Sequence, residues 1–280
     1  MKVFVQGLWH CGCVVSACLA SLKHEVIAYD DNKSLIKKLK KNILPIFEPK
    51  LKDLIKNSIK DKKLSFVNNL KNLNTANIVW FTYDTPVDEN DRASTKNIID
   101  KIKKTLQKLN SNKYIIISSQ LPVGSTELLE KYAKNVLKKK FYFFCCPENL
   151  QLGNSLSSFL EAERMIVGYR NMNSKKKINS FLKSINSNLI WMKIESAEIS
   201  KHAINSFLAS SVSFINEISL ICENFGGDAK EVEEGLKSEP RIGRKAFLSP
   251  GAPFAGGTLG RDVNYLNEIA SAKNLKTKLL

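Results

Sequence analysis

Short apolar stretches recur along the first two thirds of this chain, separated by polar sequence of helical period, and that alternation limits the available folds. Val3–Gln6, Glu25–Tyr29, Ile78–Thr82, Tyr114–Ser118, Phe141–Cys145, Met165–Val167 and Leu189–Met192 read as strands. Gly12–Leu22, Ser34–Lys41, Pro49–Ser58, Thr95–Leu109 and Ser125–Leu137 read as the helices between them. Strands that are apolar throughout belong in a sheet covered on both faces, and strand–helix alternation supplies such covers. The expected architecture is α/β: a Rossmann-like, doubly wound parallel sheet over residues 1–192. An all-helical domain is expected over residues 193–280. It begins with Glu195 to Phe225, an amphipathic stretch free of proline and glycine and closed by Gly226-Gly227. More helical sequence follows through Leu236, then a Gly/Pro-rich loop, then a last helix from Val263.

Composition narrows the function classes. At 280 residues, 43% hydrophobic and 25% charged, the chain has the make-up of an ordinary globular protein. No apolar run approaches the ~20 residues of a membrane span, and Met1–Gly7 leads straight into a strand without a signal-peptide core, so a cytoplasmic protein is expected. The formal charge of +16 could mark a surface that attracts anions, or lysines spread over exposed helix faces. The lysines are dispersed and lack interleaved aromatics, which favours the second reading and no nucleic-acid or membrane partner. The cysteines, at 11, 13, 18, 145, 146 and 222, show no paired metal spacing and read as reduced, buried thiols.

Gly7-Leu8-Trp9-His10-Cys11-Gly12 lies between a strand and a helix, where a dinucleotide fingerprint belongs. The first glycine would make the tight turn and the last would let helix and strand approach, but Trp9 stands where a middle glycine normally faces the pyrophosphate. Asp30, at the end of the second strand, fits the acidic residue that holds the adenosine ribose hydroxyls and disfavours a 2′-phosphate, hence NAD rather than NADP. A plain strand–turn–helix with Asp30 as a helix cap is the alternative. Gly7, Trp9, His10, Gly12 and Asp30 are the cofactor candidates from this segment.

Later segments extend the pattern in order. They are Pro45-Ile46-Phe47-Glu48-Pro49-Lys50-Leu51, Thr82-Tyr83-Asp84-Thr85-Pro86, Ser119-Gln120-Leu121-Pro122-Val123-Gly124-Ser125, Pro147-Glu148-Asn149-Leu150-Gln151-Leu152-Gly153, Ala197-Glu198-Ile199-Ser200-Lys201-His202-Ala203-Ile204-Asn205 and Phe254-Ala255-Gly256-Gly257-Thr258-Leu259-Gly260-Arg261-Asp262. Together they resemble the UDP-glucose/GDP-mannose dehydrogenase family over nearly the whole chain. The resemblance implies NAD-linked oxidation of the C6 alcohol of a UDP-sugar. Lys201, Asn205 and Asp262 would serve the first hydride step, with Glu148 as a later acid/base. Thr85 and Gln120 would lie at the cofactor. Leu150, Arg241, Phe254, Gly256, Gly257 and Arg261 would lie at the substrate. It also implies a homodimer built on the helix of residues 195–225. The third, nucleotide-covering domain of the family is expected to be absent.

The chain departs from the family at its nucleophile. Thr258 stands where a cysteine traps the aldehyde, and a hydroxyl without a dedicated base is a far weaker nucleophile than a thiolate. Gln120 replaces a threonine, and Leu152 stands where a glutamate is frequent. Three outcomes follow: an enzyme that stops at the aldehyde or uses its hydrate, a thiol relocated to Cys146, or a pseudoenzyme that binds both ligands. A two-electron β-hydroxyacid-type dehydrogenase is the runner-up enzyme, since it also places a Lys/Asn pair on a helix after a Rossmann domain.

Overall fold

A computed structural model describes residues 1–85, 94–148, 150–254 and 256–279. Pro86, Asn149, Ala255 and Leu280, members of the segments above or the chain's last residue, lie outside the described residues. The chain divides into two compact units, with the break after Glu198.

The first unit is built on eight strands: β1 (Lys2–Gln6), β2 (Glu25–Tyr29), β3 (Leu64–Val67), β4 (Ile78–Phe81), β5 (Tyr114–Ile117), β6 (Tyr142–Cys145), β7 (Met165–Tyr169) and β8 (Leu189–Lys193). Their spatial order is β3-β2-β1-β4-β5-β6-β7-β8. The first six follow the doubly wound order in which the chain reverses between β1 and β4 and leaves a crevice at their carboxyl ends. The helices are α1 (His10–Ser21), α2 (Lys33–Lys40), α3 (Leu51–Lys60), α4 (Thr95–Lys108), α5 (Ser125–Asn135), α6 (Ser155–Leu160) and α7 (Met172–Lys183). Trp80, Phe4, Phe81 and Phe144 are among the largest fully buried side chains of the core. Helix α1 is buried along most of its length.

The sheet is parallel, as expected, at every pairing but one: β7 runs antiparallel to β6, with Phe144 opposite Tyr169 and Cys145 opposite Gly168. Among the described residues, the connection carries one helix, α6, of 6 residues, about 9 Å at ~1.5 Å per residue and shorter than the helical crossover that parallel neighbours ordinarily use. The segment after β6 therefore stays at the end where β6 finishes, and β7 starts from there. That keeps Pro147, Glu148 and the residues from Leu150 to Gly153 at the sheet's carboxyl edge.

In the second unit, α8 (Ile194–Phe225, 32 residues) begins in the first unit and continues through the second. It is followed by α9 (Ala229–Ser238), a π-helical turn over Gly256–Gly260 and α10 (Arg261–Ser271). Contrary to the expectation of no spanning run, α8 is long and apolar enough to cross a membrane by length and composition, with a window of mean hydropathy 1.3. The average is high because α8 is apolar on more than one side. Ala209, Val212 and Ile215 are buried while Phe207, Phe214, Leu220, Ile221 and Phe225 are exposed. Its first turns also bury Glu198, Lys201, His202 and Asn205. Glu198 accepts hydrogen bonds from the backbone N–H groups of Gly124 (2.7 Å) and Thr126 (3.0 Å), capping the start of α5.

Candidate active site

The turn from β1 into α1 is held by close backbone approach. Gly7 has φ +100°, and a Cβ there would lie 2.7 Å from the Tyr83 backbone nitrogen; a Cβ on Gly12 would lie 1.8 Å from the Gly7 carbonyl oxygen. The same carbonyl accepts the Thr82 hydroxyl at 2.9 Å. Asp30 is buried beneath this turn and accepts Leu8 N–H (2.8 Å) on one oxygen and Asn32 N–H (2.9 Å) on the other. It is not the cap of α2, because Asn32 fills that role by accepting Leu35 N–H at 3.0 Å. Burial, the largest effect, pushes the Asp30 carboxyl up against the pull of those two donors.

The cradle fits a dinucleotide. A carboxylate offers about four acceptor sites, so Asp30 can hold the turn and still receive ribose hydroxyls. The first turn of α1 contains no acidic residue, leaving its amide groups suited to a pyrophosphate. Trp9 is the departure. It sits at the N-cap of α1 in extended conformation, without a side-chain cap bond, and is 44% exposed. Of the 3 tryptophans, Trp80 is fully buried in the core and Trp191 lies on the edge strand β8, five positions from β1, so NAD titrated into the protein is expected to quench Trp9 emission. In Trp9→Phe most of that signal should vanish while Kd stays within about threefold; an unchanged signal would place the cofactor elsewhere.

Glu48, to which sequence reasoning gave no role, organises this edge. It is buried and receives His10 Nε2 (2.8 Å), Gly153 N–H (3.0 Å) and Ser155 N–H (2.8 Å). Burial would raise its carboxyl, but His10, Ser155 and Gly153 outweigh it and hold the group below the usual carboxylate range. A carboxylate only accepts, so His10 carries its proton on Nε2. His10 thus acts through Glu48, tying the start of α1 to the segment that carries Glu148 and Leu150. The signal in the sequence was Glu48 itself, an acidic residue in an otherwise apolar loop.

Thr85 and Gln120 are brought together, with the Thr85 hydroxyl donating to the Gln120 carbonyl at 2.6 Å. Glu148 lines a cavity of about 280 Å3 with Gln151, Glu163, Arg164 and Asn186. Leu150 is half-buried. Cys146 is 1% exposed. Burial pushes its thiol well up, with Cys145 and Glu148 adding to the effect, and both features count against a thiolate nucleophile at this position.

The second unit gathers Asn205, Asp262 and Arg261. Lys201 and Asn205, one helical turn apart on α8, share a face and are both buried. Asp262, in the first turn of α10, is fully buried. The Asn205 amide donates to its Oδ2. His202 Nδ1 lies 3.0 Å from its Oδ1, and Arg261 Nε 3.7 Å from the same oxygen. Burial pushes the Asp262 carboxyl up, but His202, Arg261 and Asn205 together hold it below its ordinary range. Sequence reasoning missed His202, because the family pattern leaves its position open. Thr258 is exposed in the π-helical turn before α10. Gly256 and Gly257 open that turn. Phe254 is exposed. Arg241 is 87% exposed and pairs with Glu239 at 2.8 Å. Of the four expected catalytic side chains, Lys201, Asn205 and Asp262 belong to the second unit and Glu148 to the first.

Known proteins agree with the motifs. UDP-glucose 6-dehydrogenase TuaD of Bacillus subtilis (strain 168) is 31% identical over 282 residues, which is 100% of this chain and 61% of the relative. The UDP-glucose 6-dehydrogenase of Rickettsia felis is 32% identical over 286 residues, 100% of this chain and 63% of the relative. The chain thus spans less than two thirds of the length of these curated relatives. A solved UDP-glucose dehydrogenase from Pyrobaculum islandicum superposes with TM-score 0.88 over 99% of this chain and 66% of its own; at 23% identity it supports the fold. Residues 1–186 match the family's NAD-binding domain and residues 195–280 its central domain. Two adjacent matches in the expected order leave one conclusion: the chain belongs to the UDP-glucose/GDP-mannose dehydrogenase family.

Proposed function

We propose that this protein is a cytoplasmic, NAD-dependent nucleotide-sugar dehydrogenase that oxidises the C6 alcohol of a UDP-sugar, most simply UDP-glucose, and stops at the aldehyde. The observation that carries this reading is the buried Asp262 carboxylate, bonded by Asn205 from the helix face that also bears Lys201. The balanced step turns one primary alcohol and one NAD+ into one aldehyde, one NADH and one proton. NAD+, when bound, accepts the hydride from C6. The Lys201 ammonium stabilises the alkoxide that develops as that hydride leaves, and Asn205 orients the same oxygen. Asp262 takes the hydroxyl proton, through a water or Lys201. Glu148 serves later proton transfers at the aldehyde.

Leu150, Phe254, Gly256, Gly257 and Arg261 are assigned to the substrate. Arg241 suits bidentate contact with a diphosphate, and its exposed guanidinium would exchange its surface pairing with Glu239 for a contact at a second copy's site. The homodimer is proposed on α8, whose exposed Phe207, Phe214, Leu220, Ile221 and Phe225 supply an apolar surface.

The test counts NADH formed per UDP-glucose. One NADH with accumulating aldehyde is expected, and Thr258→Cys should raise the aldehyde-to-acid rate at least tenfold by restoring a thiol nucleophile. Two NADH from the unaltered protein would refute the block at Thr258. One NADH with no preference for a UDP moiety would indicate a β-hydroxyacid-type enzyme. No NADH with retained binding of both ligands would indicate a pseudoenzyme.

A further inference from the structure

His202 is the residue of this cluster that the family pattern does not specify, and it is 1% exposed. A buried imidazole is costly unless its polar atoms are bonded. Here the ring stands edge-on to Tyr265, with centroids 5.1 Å apart at 82°, and directs Nδ1 at Asp262 Oδ1 over 3.0 Å. The other carboxylate oxygen is taken by Asn205. Both oxygens of Asp262 are therefore gripped from α8, by residues a turn apart, while Arg261 and Tyr265 flank the carboxylate from its own helix, α10. An ionised carboxylate cannot donate, so Nδ1 must carry the hydrogen.

From this geometry we infer that His202 is a positioning residue. Its Nδ1–H, paired with the Asn205 amide, fixes the Asp262 carboxylate in the orientation from which it receives the proton of the substrate hydroxyl. The inference rests on the role of Asp262 given above. Other charged groups on the same helices are the buried Glu198 and Lys201, within a turn of His202 on α8, and Glu268 on α10; Glu268 acts on Tyr265, whose hydroxyl, raised chiefly by burial to about 12, stays protonated across the working range.

Two substitutions separate this role from simple packing. His202→Phe keeps a ring against Tyr265 and removes the donor. His202→Asn supplies an amide N–H near the place of Nδ1–H. His202→Phe is expected to lower kcat for NADH formation about 30-fold, the loss typical of a hydrogen bond to a charged group, with KM for UDP-glucose little changed. Its acid limb should move to higher pH, because Asp262 loses a donor that favours its charged form. His202→Asn should recover kcat to within about fivefold and return the limb toward its original position. An unaltered kcat in His202→Phe, or an equal fall in both variants, overturns the inference. A second measurement needs no turnover. The chain has 3 histidines, so nitrogen NMR can assign His202 from the signal lost in His202→Asn. Hydrogen on Nδ1, perturbed by Asp262→Asn, is expected; an Nε2–H tautomer with bare Nδ1 overturns the pairing. If the unaltered protein forms no NADH, the dehydrogenase reading fails by itself, and the tautomer still decides the His202–Asp262 contact.

Discussion

Lys201→Ala is expected to abolish NADH formation from UDP-glucose, lowering kcat by about a thousandfold, while NAD binding followed through Trp9 is unchanged. The size of the effect follows from where the charge sits. Lys201 is 8% exposed on α8, and an ammonium held away from water interacts with a developing alkoxide far more strongly than a solvated one. Such a group is already oriented when the oxygen becomes negative, so its stabilisation is realised in the transition state and its loss falls on kcat. Removing one preorganised donor from an oxyanion typically costs about 10²–10³ in rate, and a full charge stands at the upper end. NAD binding should persist because Gly7, Gly12 and Asp30 belong to the other compact unit. Lys201→Arg keeps the charge but replaces a compact ammonium with a planar fork, and should recover little activity. A Lys201→Ala protein retaining a tenth or more of its kcat would remove the ammonium from the chemistry and leave the dehydrogenase reading without its electrophile.

Much of the first unit could be read before any coordinates, because its information is local. Glu25–Tyr29 was delimited as the structure has it, and the other predicted strands end within two residues of their expected bounds. Strand β3 escaped notice. It has 4 residues, and only Leu64 and Phe66 of them are buried, so its apolar signal is three side chains between a lysine pair and an asparagine pair. Helices α6 and α7 were missed in serine-, asparagine- and lysine-rich sequence, where Ser155 and Ser174 are buried but contribute no hydrophobic period. The direction of β7 was not legible because it depends on what the preceding connection can span, not on the strand's own composition. The same division runs through the candidate site. Asp30 and Gly12 announced themselves within one strand–turn–helix, whereas His10 meets Glu48 across 38 residues and His202 meets Asp262 across 60. Such pairs exist only once tertiary structure has formed. A histidine after a lysine on a long helix carries no sign of its partner.

Gly12→Ala should remove both stability and cofactor binding, for a reason unrelated to glycine's backbone freedom. Gly12 lies inside α1 with ordinary helical geometry, and what forbids a side chain is space. The added Cβ would lie 1.8 Å from the Gly7 carbonyl oxygen and 2.8 Å from the Thr82 hydroxyl. The nearer atom is backbone, held by a tight turn and by the Thr82 hydrogen bond at 2.9 Å, so it cannot swing aside as a flexible side chain would. Either α1 lifts from the carboxyl end of β1 or the turn opens, and α1 is the most deeply packed helix of its unit. The expected cost is about 3 kcal/mol, the upper range of overpacking in a close-packed interior. For a chain of this size that is a fall in Tm of roughly 6–12 °C. Because the displaced turn is the one that meets the pyrophosphate, NAD affinity should drop at least tenfold, a loss of about 1.4 kcal/mol. Gly235→Ala provides the contrast. Gly235 also lies within a helix, α9, but nothing stands within 4 Å of the Cβ it would gain. There the helix propensity of alanine should act alone, and stability should rise by up to about 1 kcal/mol with NAD affinity unchanged. Thermal unfolding and NAD titration of the two variants side by side decide the matter. If Gly12→Ala melts with Gly235→Ala and binds NAD as well, the close approach of α1 to the β1 turn is not a feature of the protein, and the cradle built on it falls.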